Sequence, residues 1–327
     1  MKILEAILTG ITQGAMIALV SLGYTMVYGV LKLINFAHSE VFMMAAYFGL
    51  VFLALLIGDV SSVDGIISQA SATTTFASVF GVLRGHPLAA TAGATILAML
   101  AASALGVGVE RVAYRPLRGR GKGALVRVTP LVTALGMSVL LQNLAQLLFS
   151  ARFRPYPQVL EGEVQVPGLG PMTSSRALIL VTAIAVMAML ELIVKRTWFG
   201  KAMRALSANE EAARLMGIRT SRVISMTFAL GSSLAALGAV LFCLDQSQVY
   251  PTMGVVIGTR AFVAAVLGGI GSITGAMLGG LLIGVIGELV KLTDYSGGVD
   301  VLVFLVLILV LLVRPAGLLG STRIEKV

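Results

Sequence analysis

KRTWFGKAMRALSANEEAARLMGIRTSR, residues 195–222, is the most polar and most cationic stretch of the chain. It holds seven of the 24 Lys and Arg residues and lies between two long apolar runs. Helical punctuation sits inside it. Ser207-Ala208-Asn209-Glu210 has the S-x-x-E form of a capping box, in which serine and glutamate satisfy free backbone N–H groups at a helix start. Gly217 supplies the stop expected just past a helix end. Glu210 and Glu211 fall in the first turn and Arg214 in the last, as the helix dipole favours. The stretch reads as a short, self-capped helix over 208–216 held at a membrane surface. Charge count alone would allow an ordinary polar loop there.

The surface is a membrane surface because of the composition around it. The chain is 57% hydrophobic and 12% charged, against roughly a quarter charged for a soluble domain, which makes it a polytopic membrane protein. Its 37 glycines suit helices that approach closely in a bilayer. A net charge of +9 would raise nucleic acid as a partner of a soluble chain. Here the excess lies in loops beside apolar runs, where it reads as topology and not as a nucleic-acid surface. Cys243 is the single cysteine, so no internal disulfide is possible. Lys2 is followed by Glu5 with no clear small-residue cleavage site, so the first run is expected to be a retained span. No G-x-x-x-x-G-K-[ST] loop occurs, and energy from ATP would have to arrive through another subunit. With only His38 and His86 and no Cys/His cluster, neither a metal nor a cofactor is expected.

Apolar runs occupy approximately 4–31, 40–58, 88–110, 124–149, 177–194, 222–244, 261–290 and 299–313. Most suit a span of about 20 residues. Residues 111–127 carry Arg111, Arg115, Arg118, Arg120, Lys122 and Arg127 with no acid, so they face the cytosol, as do residues 195–222. The opening stretch is expected to do the same, and Arg314, Arg323 and Lys326 place the C-terminus inside. Parity then constrains 261–290, which must begin and end on the outer side. Gly268-Gly269-Ile270-Gly271-Ser272 interrupts that run. The expectation is a re-entrant hairpin of two half-helices, with Ser272 capping the second; broken backbone at membrane depth is tolerated where it is buried or lines a cavity.

A matching interruption lies near the N-terminus, at Lys32-Leu33-Ile34-Asn35-Phe36-Ala37-His38-Ser39-Glu40. It is too short and too apolar for an ordinary loop, and Ser39 is placed to cap the helix after it. Whether this break turns back leaves the side of the N-terminus open. Paired interruptions of this kind are the best sequence pointer to a transport site. Residues 59–87 and 150–176 are the outer connections. Pro155, Pro157, Pro167 and Pro171 make the second extended or turned. The fold class is thus all-α: one transmembrane domain, residues 1–327, a helical bundle of about eight spans with broken or re-entrant half-helices and a cytosolic coupling helix.

Ionisable groups at membrane depth are functional candidates, because burying an unpaired charge is costly. Lys32, His38 and Glu40 cluster at the first break, whereas Glu191, Asp245, Glu288 and Lys291 lie near span ends. No carboxylate reads as mid-span, which counts against an ion-coupled secondary carrier. An intramembrane hydrolase would need a nucleophile beside a base, and adjacent His38 and Ser39 do not face each other on a helix. Glycine pairs Gly275/Gly279 and Gly280/Gly284 have the G-x-x-x-G form of close helix packing.

Five ordered stretches carry a resemblance to a known family: Tyr28 through His38; Glu110-Arg111-Val112-Ala113-Tyr114-Arg115-Pro116-Leu117-Arg118; Gly200-Lys201-Ala202-Met203-Arg204-Ala205; Ala261-Phe262 through Ser272; and Arg314-Pro315-Ala316-Gly317-Leu318. Together they resemble branched-chain amino acid ABC importer permeases of the LivH type. Ser39 stands where that family commonly has glycine, and 59–87 looks like an insert. Glu211-Ala212-Ala213 with Gly217 is similar to the core of the importers' EAA loop, without its I-x-L-P tail.

The resemblance implies a multi-pass subunit of a bacterial inner-membrane importer with no cofactor and no enzyme activity of its own. Its partners would be membrane lipid, a second homologous permease subunit in a heterodimer, two cytosolic ATP-binding subunits and a periplasmic solute-binding protein. The solutes would be leucine, isoleucine and valine or a related amino acid, with a urea or amide importer as the nearest alternative. Asn35, Phe36, His38, Ser39, Gly269, Gly271 and Ser272 are the expected lining of the path. Gly200, Arg204, Glu210, Glu211, Arg214 and Gly217 are the expected ATPase-coupling residues.

Overall fold

The computed structural model describes residues 2–57, 83, 85–117, 125–157, 162–166, 170–293 and 296–320. Expectations for Arg118, Arg120, Lys122, Pro167, Arg323, Lys326 and nearly all of the 59–87 connection lie outside them. Among the described residues the helices are α1 (Lys2–Leu31), α2 (His38–Ile57), α3 (Pro87–Val109), α4 (Leu125–Phe149), α5 (Ser174–Arg196), α6 (Trp198–Ala208), α7 (Glu210–Leu215), α8 (Thr220–Gln246), α9 (Met253–Gly268), α10 (Ile273–Lys291) and α11 (Val299–Val313). A π-turn at Glu110–Tyr114 and a 3-10 turn at Arg115–Leu117 prolong α3. Among the described residues eight helices are long and apolar enough to cross a membrane, and α9 is a shorter apolar helix. The chain is a polytopic helical membrane protein.

Buried residues concentrate on α1, α2 and α8, while α4, α5 and α11 display Leu, Ile and Val outward. Small residues let the inner helices meet. Gly284 of α10 faces Gly14 of α1, where an added methyl group would stand 2.3 Å from the opposing backbone. Gly280 meets Ala18 in the same way. Gly275 and Gly279 use the other face of α10, against Gly268 and Ala264 of α9. Both G-x-x-x-G pairs therefore serve close packing, one toward each neighbour.

Those contacts also fix direction. Residues 14, 18 and 29 of α1 meet residues 284, 280 and 271, so α1 and α10 are antiparallel over their length. Thr9 lies beside Arg176 at the start of α5, and Arg176 pairs with Asp245 at the end of α8, N to O 3.2 Å. Lys32, at the other end of α1, reaches Ser207 of α6. The start of α1 therefore lies at the opposite end of the bundle from α6, α7 and the basic segment after α3. This corrects the expectation that the opening stretch and the basic loops share a side. With Lys2 and Glu5 nearly cancelling, local charge has little say, and the three successive passages α1, α2 and α3 put the start of α1 at the opposite end from the segment after α3.

The far end carries two short antiparallel ribbons. β1 (Arg154–Pro155) pairs with β4 (Gln248–Val249), and β2 (Glu163–Val166) pairs with β3 (Gly170–Thr173). The described parts of the proline-bearing connection include extended strands, with Pro155 in β1 and Pro171 in β3, as its composition predicts.

The long run at 261–290 breaks where its glycines predict. α9 ends at Gly268, Gly269 and Gly271 have positive φ, and the Ser272 hydroxyl accepts the Gly275 N–H at 3.1 Å to cap α10. The two arms return along each other as a hairpin. They run further than half-helices: α9 starts at Met253, and α10 alone is of spanning length. The tip consequently reaches the α6–α7 end of the bundle. There the tail seals it, with Leu318 and Leu319 N–H groups donating to the Leu267 and Gly268 carbonyls. Arg260 of α9 and Asp300 of α11 form an ion pair at 2.7 Å that ties α11 to the hairpin.

Candidate functional site

The first interruption is held by asparagine and tyrosine, not by serine. After Leu31 the chain takes a left-handed step at Lys32, φ 56°. It then climbs back into the bundle, because His38 lies at the level of Gly23 and Tyr24. The Asn35 side-chain oxygen accepts the Ala37 N–H at 3.1 Å and the Tyr114 hydroxyl at 2.9 Å. Asn35 thus closes the start of α2 and ties it to the π-turn after α3. The expected cap, Ser39, lies within α2, and its hydroxyl donates to the Phe36 carbonyl at 2.9 Å. An asparagine before the helix offers a well-placed acceptor to the free N–H groups; a serine already inside the first turn does not.

His38 and Glu40 are each 1% exposed. The His38 ring meets Tyr24 edge-on, centroids 4.7 Å apart, in space that exists because residue 23 is glycine: a methyl group there would sit 2.2 Å from Nε2. Phe36 and Tyr24 both face Phe262 of α9, with centroids 6.1 and 6.2 Å away. Ser39 packs on Gly258, and Glu40 beside Gly254. Ser21 Oγ, Thr25 Oγ1, His38 Nε2 and Glu40 Oε2 are buried without a hydrogen-bond partner. Polar atoms in that state are rare, since each forfeits hydration with nothing in return. The interior of the bundle at the α1–α2 break is therefore a polar locus inside an apolar core. It includes a carboxylate at depth, contrary to the expectation that none is mid-span; Glu110 is also fully buried, accepting the Ser225 hydroxyl at 2.8 Å.

The two sets expected to line a path do not converge at one depth. Asn35, Phe36, His38 and Ser39 lie inside, against the middle of α9. Gly271 is exposed and Ser272 half-buried at the hairpin tip, while Gly269 is buried under the tail near Ala316 and Gly320. They meet the first break only at its lower margin, near Gly29.

The polar stretch at 195–222 forms two helices where one was expected. α6 is amphipathic: Phe199, Ala202, Met203 and Leu206 are buried and Lys201 and Arg204 are exposed. It continues through Ser207, so the capping-box serine is in its last turn. Asn209 is extended, φ −159° and ψ 115°, and its side chain accepts the Ala212 N–H at 3.0 Å to start α7. Gly217, φ 80°, ends α7 as predicted, with the Ile218 N–H donating to the Ala213 carbonyl. Glu210 pairs with Arg214 at 3.4 Å, and Glu211 is exposed. Gly200 packs on the end of α5, and the Arg204 guanidinium donates to the Val194 carbonyl there. Leu215 and Met216, 89% and 83% exposed, form an apolar tip on α7 that sequence reasoning passed over. The signal was present as two large apolar residues just before the glycine stop. Lys32 Nζ donates to Ser207 Oγ at 3.2 Å, linking α6 to the first break.

Over residues 6–312 the chain matches the family described as branched-chain amino acid transport system, permease component. It is similar to the high-affinity branched-chain amino acid transport system permease protein BraD of Pseudomonas aeruginosa, with 39% identity over 99% of this chain and 98% of that one. It is similar to the corresponding permease protein LivH of Escherichia coli, with 37% identity over 99% of this chain and 97% of that one. The ribose import permease protein RbsC of Haemophilus influenzae shares 33% identity over 32% of this chain and 34% of its own. No solved structure matches.

Proposed function

The chain belongs to the branched-chain amino acid transport system permease family, and from that premise we propose that it imports leucine, isoleucine and valine by ATP-driven alternating access. The observation that carries the proposal is the match along nearly the whole length of two permease components of such systems. It works in a bacterial inner membrane with a second, similar permease subunit, two cytosolic ATP-binding subunits and a periplasmic solute-binding protein. The α6–α7 end and the C-terminus face the cytosol, where Lys195, Arg196, Lys201, Arg204, Arg214, Arg219 and Arg222 satisfy the positive-inside rule. The ribbon end and the N-terminus face the periplasm.

α7 docks on an ATP-binding subunit through Glu211, Arg214 and the apolar tip Leu215–Met216. Its movement passes through the Asn209 turn to α6, and from α6 through Ser207 and Lys32 to the first break. Asn35, Phe36, His38 and Ser39 line the path there. Gly269, Gly271 and Ser272 close the hairpin at the cytosolic end of the bundle and take no part in the path.

Reversing charge with Glu211→Lys should lower both uptake of labelled leucine and coupled ATP hydrolysis in reconstituted vesicles, with the complex still assembled. Normal uptake in that variant removes α7 from the ATPase contact. Uptake driven by a proton gradient without ATP would overturn the importer reading altogether.

A further inference from the structure

Glu40 stands apart from the other acidic side chains described, of which Glu5 and Glu211 are exposed to solvent. Asp245, Asp300, Glu191, Glu210 and Glu288 have cationic partners, and Glu110 accepts a hydroxyl at 2.8 Å. Glu40 is 1% exposed, accepts the Ser138 hydroxyl at 3.4 Å on Oε1, lies beside the Ser39 side chain, forms no ion pair among the described residues, and leaves Oε2 buried without a hydrogen-bond partner. Lys32 is the one cation near it in sequence, and that side chain is exposed and turned to Ser207. Space for the carboxylate is built in from a distant part of the chain: a methyl group on Gly254 would stand 2.9 Å from Oε2, and one on Gly258 would strike Ser39. A carboxylate placed at membrane depth without a partner is a costly arrangement that ordinary packing does not require.

We propose that Glu40 recognises the solute's protonated amino group on the translocation path, pairing with it through Oε2 as α9 moves off the first turn of α2. This rests on the reading of the solute as an amino acid. A zwitterion crossing an apolar bundle needs an anionic partner for its ammonium group, and Glu40 supplies one beside Ser39 and two residues beyond His38. Charge-assisted hydrogen bonds of this kind are the strong ones in a low-dielectric setting. The site takes primary ammonium groups attached to a small apolar side chain.

The test compares two variants in the full transporter, reconstituted with its ATP-binding subunits and solute-binding protein. Glu40→Gln keeps shape and loses charge, and Glu40→Asp keeps charge and shortens the side chain. Per assembled complex, labelled leucine uptake should fall by at least about tenfold in the glutamine variant and be retained far better in the aspartate variant. Isobutylamine applied from the cytosolic side should inhibit wild type and the aspartate variant, but not the residual uptake of the glutamine variant. Leucine uptake by Glu40→Gln equal to or above that by Glu40→Asp overturns the proposal, because shape and not charge then matters. Amine inhibition that persists in the glutamine variant also overturns it. Wild-type transport confined to solutes without an amino group would break the reading of the solute itself, an outcome separable from leucine uptake insensitive to Glu40.

Discussion

The two interruptions, 32–37 and 269–272, look alike in sequence, yet the fold makes them opposites. At 269–272 two glycines turn the chain, Ser272 caps the outgoing helix, and the tail's N–H groups satisfy the last carbonyls of α9. The one polar side chain there, Ser272, has a partner. At 32–37 the chain re-enters the bundle, Asn35 and Tyr114 hold it in place, and His38 and Glu40 are left with unpartnered atoms inside. The first break is a polar locus and the second a closed turn. A helix break marks a site only when polar side chains, and not glycines, fill it.

The largest effect should come from Asn35→Ala. It strips the acceptor from both the Ala37 N–H and the Tyr114 hydroxyl, and two buried orphaned donors cost about 2–5 kcal/mol together. Thermal unfolding in detergent should show that loss. Leucine uptake per folded molecule should fall as well, because the same residue sets the position of His38 and Glu40. Tyr114→Phe removes only one partner, and its effect should vanish in the Asn35→Ala background.

Gly268→Ala tests the other side of the comparison. Its new methyl group would sit 2.0 Å from the Gly275 carbonyl oxygen, and two backbones must part to admit it. Overpacking of this kind costs about 1–3 kcal/mol. Here uptake should fall only in proportion to the folded protein recovered. A loss of uptake in fully folded Gly268→Ala would make the second break functional and erase the contrast.

What the sequence made legible divides along a physical line. The spans, the break at Gly268–Ser272, the Ser272 cap and the Gly217 stop depend on local properties: hydrophobic length, positive φ, a hydroxyl at a helix start. They are read from a few neighbouring residues. The start of α7 is local too, but the S-x-x-E pattern points to Ser207. Only the buried face of α6, packed on α5, carries that helix past Ser207 and leaves the role to Asn209. The burial of Glu40 is not local at all. It depends on Gly254 and Gly258, more than two hundred residues later, and on the depth to which 32–37 climbs. The orientation of α1 likewise depends on its antiparallel contact with α10, which no loop charge reports.

Ser272→Ala should have a smaller effect, of about 1 kcal/mol, as for the loss of one helix cap. Gly269 and Gly271 still make the turn and the tail still covers it, so unfolding shifts slightly and uptake per folded molecule stays constant. The corresponding change in the first break, Ser39→Ala, removes a hydroxyl that caps nothing. Any effect on uptake it has should appear without the stability loss, which separates a path residue from a capping one.

The smallest effect on stability belongs to Lys32→Ala, and it bears most directly on mechanism. The Lys32–Ser207 contact is exposed, so removing it should change stability by less than about 0.5 kcal/mol. Yet it is the direct side-chain link between α6 and the residues leading to Asn35, His38 and Glu40. If motion of α7 reaches the first break through it, uptake should fall about fivefold while ATP hydrolysis continues, a coupling loss of roughly 1 kcal/mol. Ser207→Ala should reproduce that uncoupling, and the double variant should be no worse than either single one. Additive losses would mean that each residue acts alone and that coupling runs through the packed face of α6 against α1. Unchanged uptake per ATP in both variants would leave the first break a polar locus with no line to the α6–α7 helices.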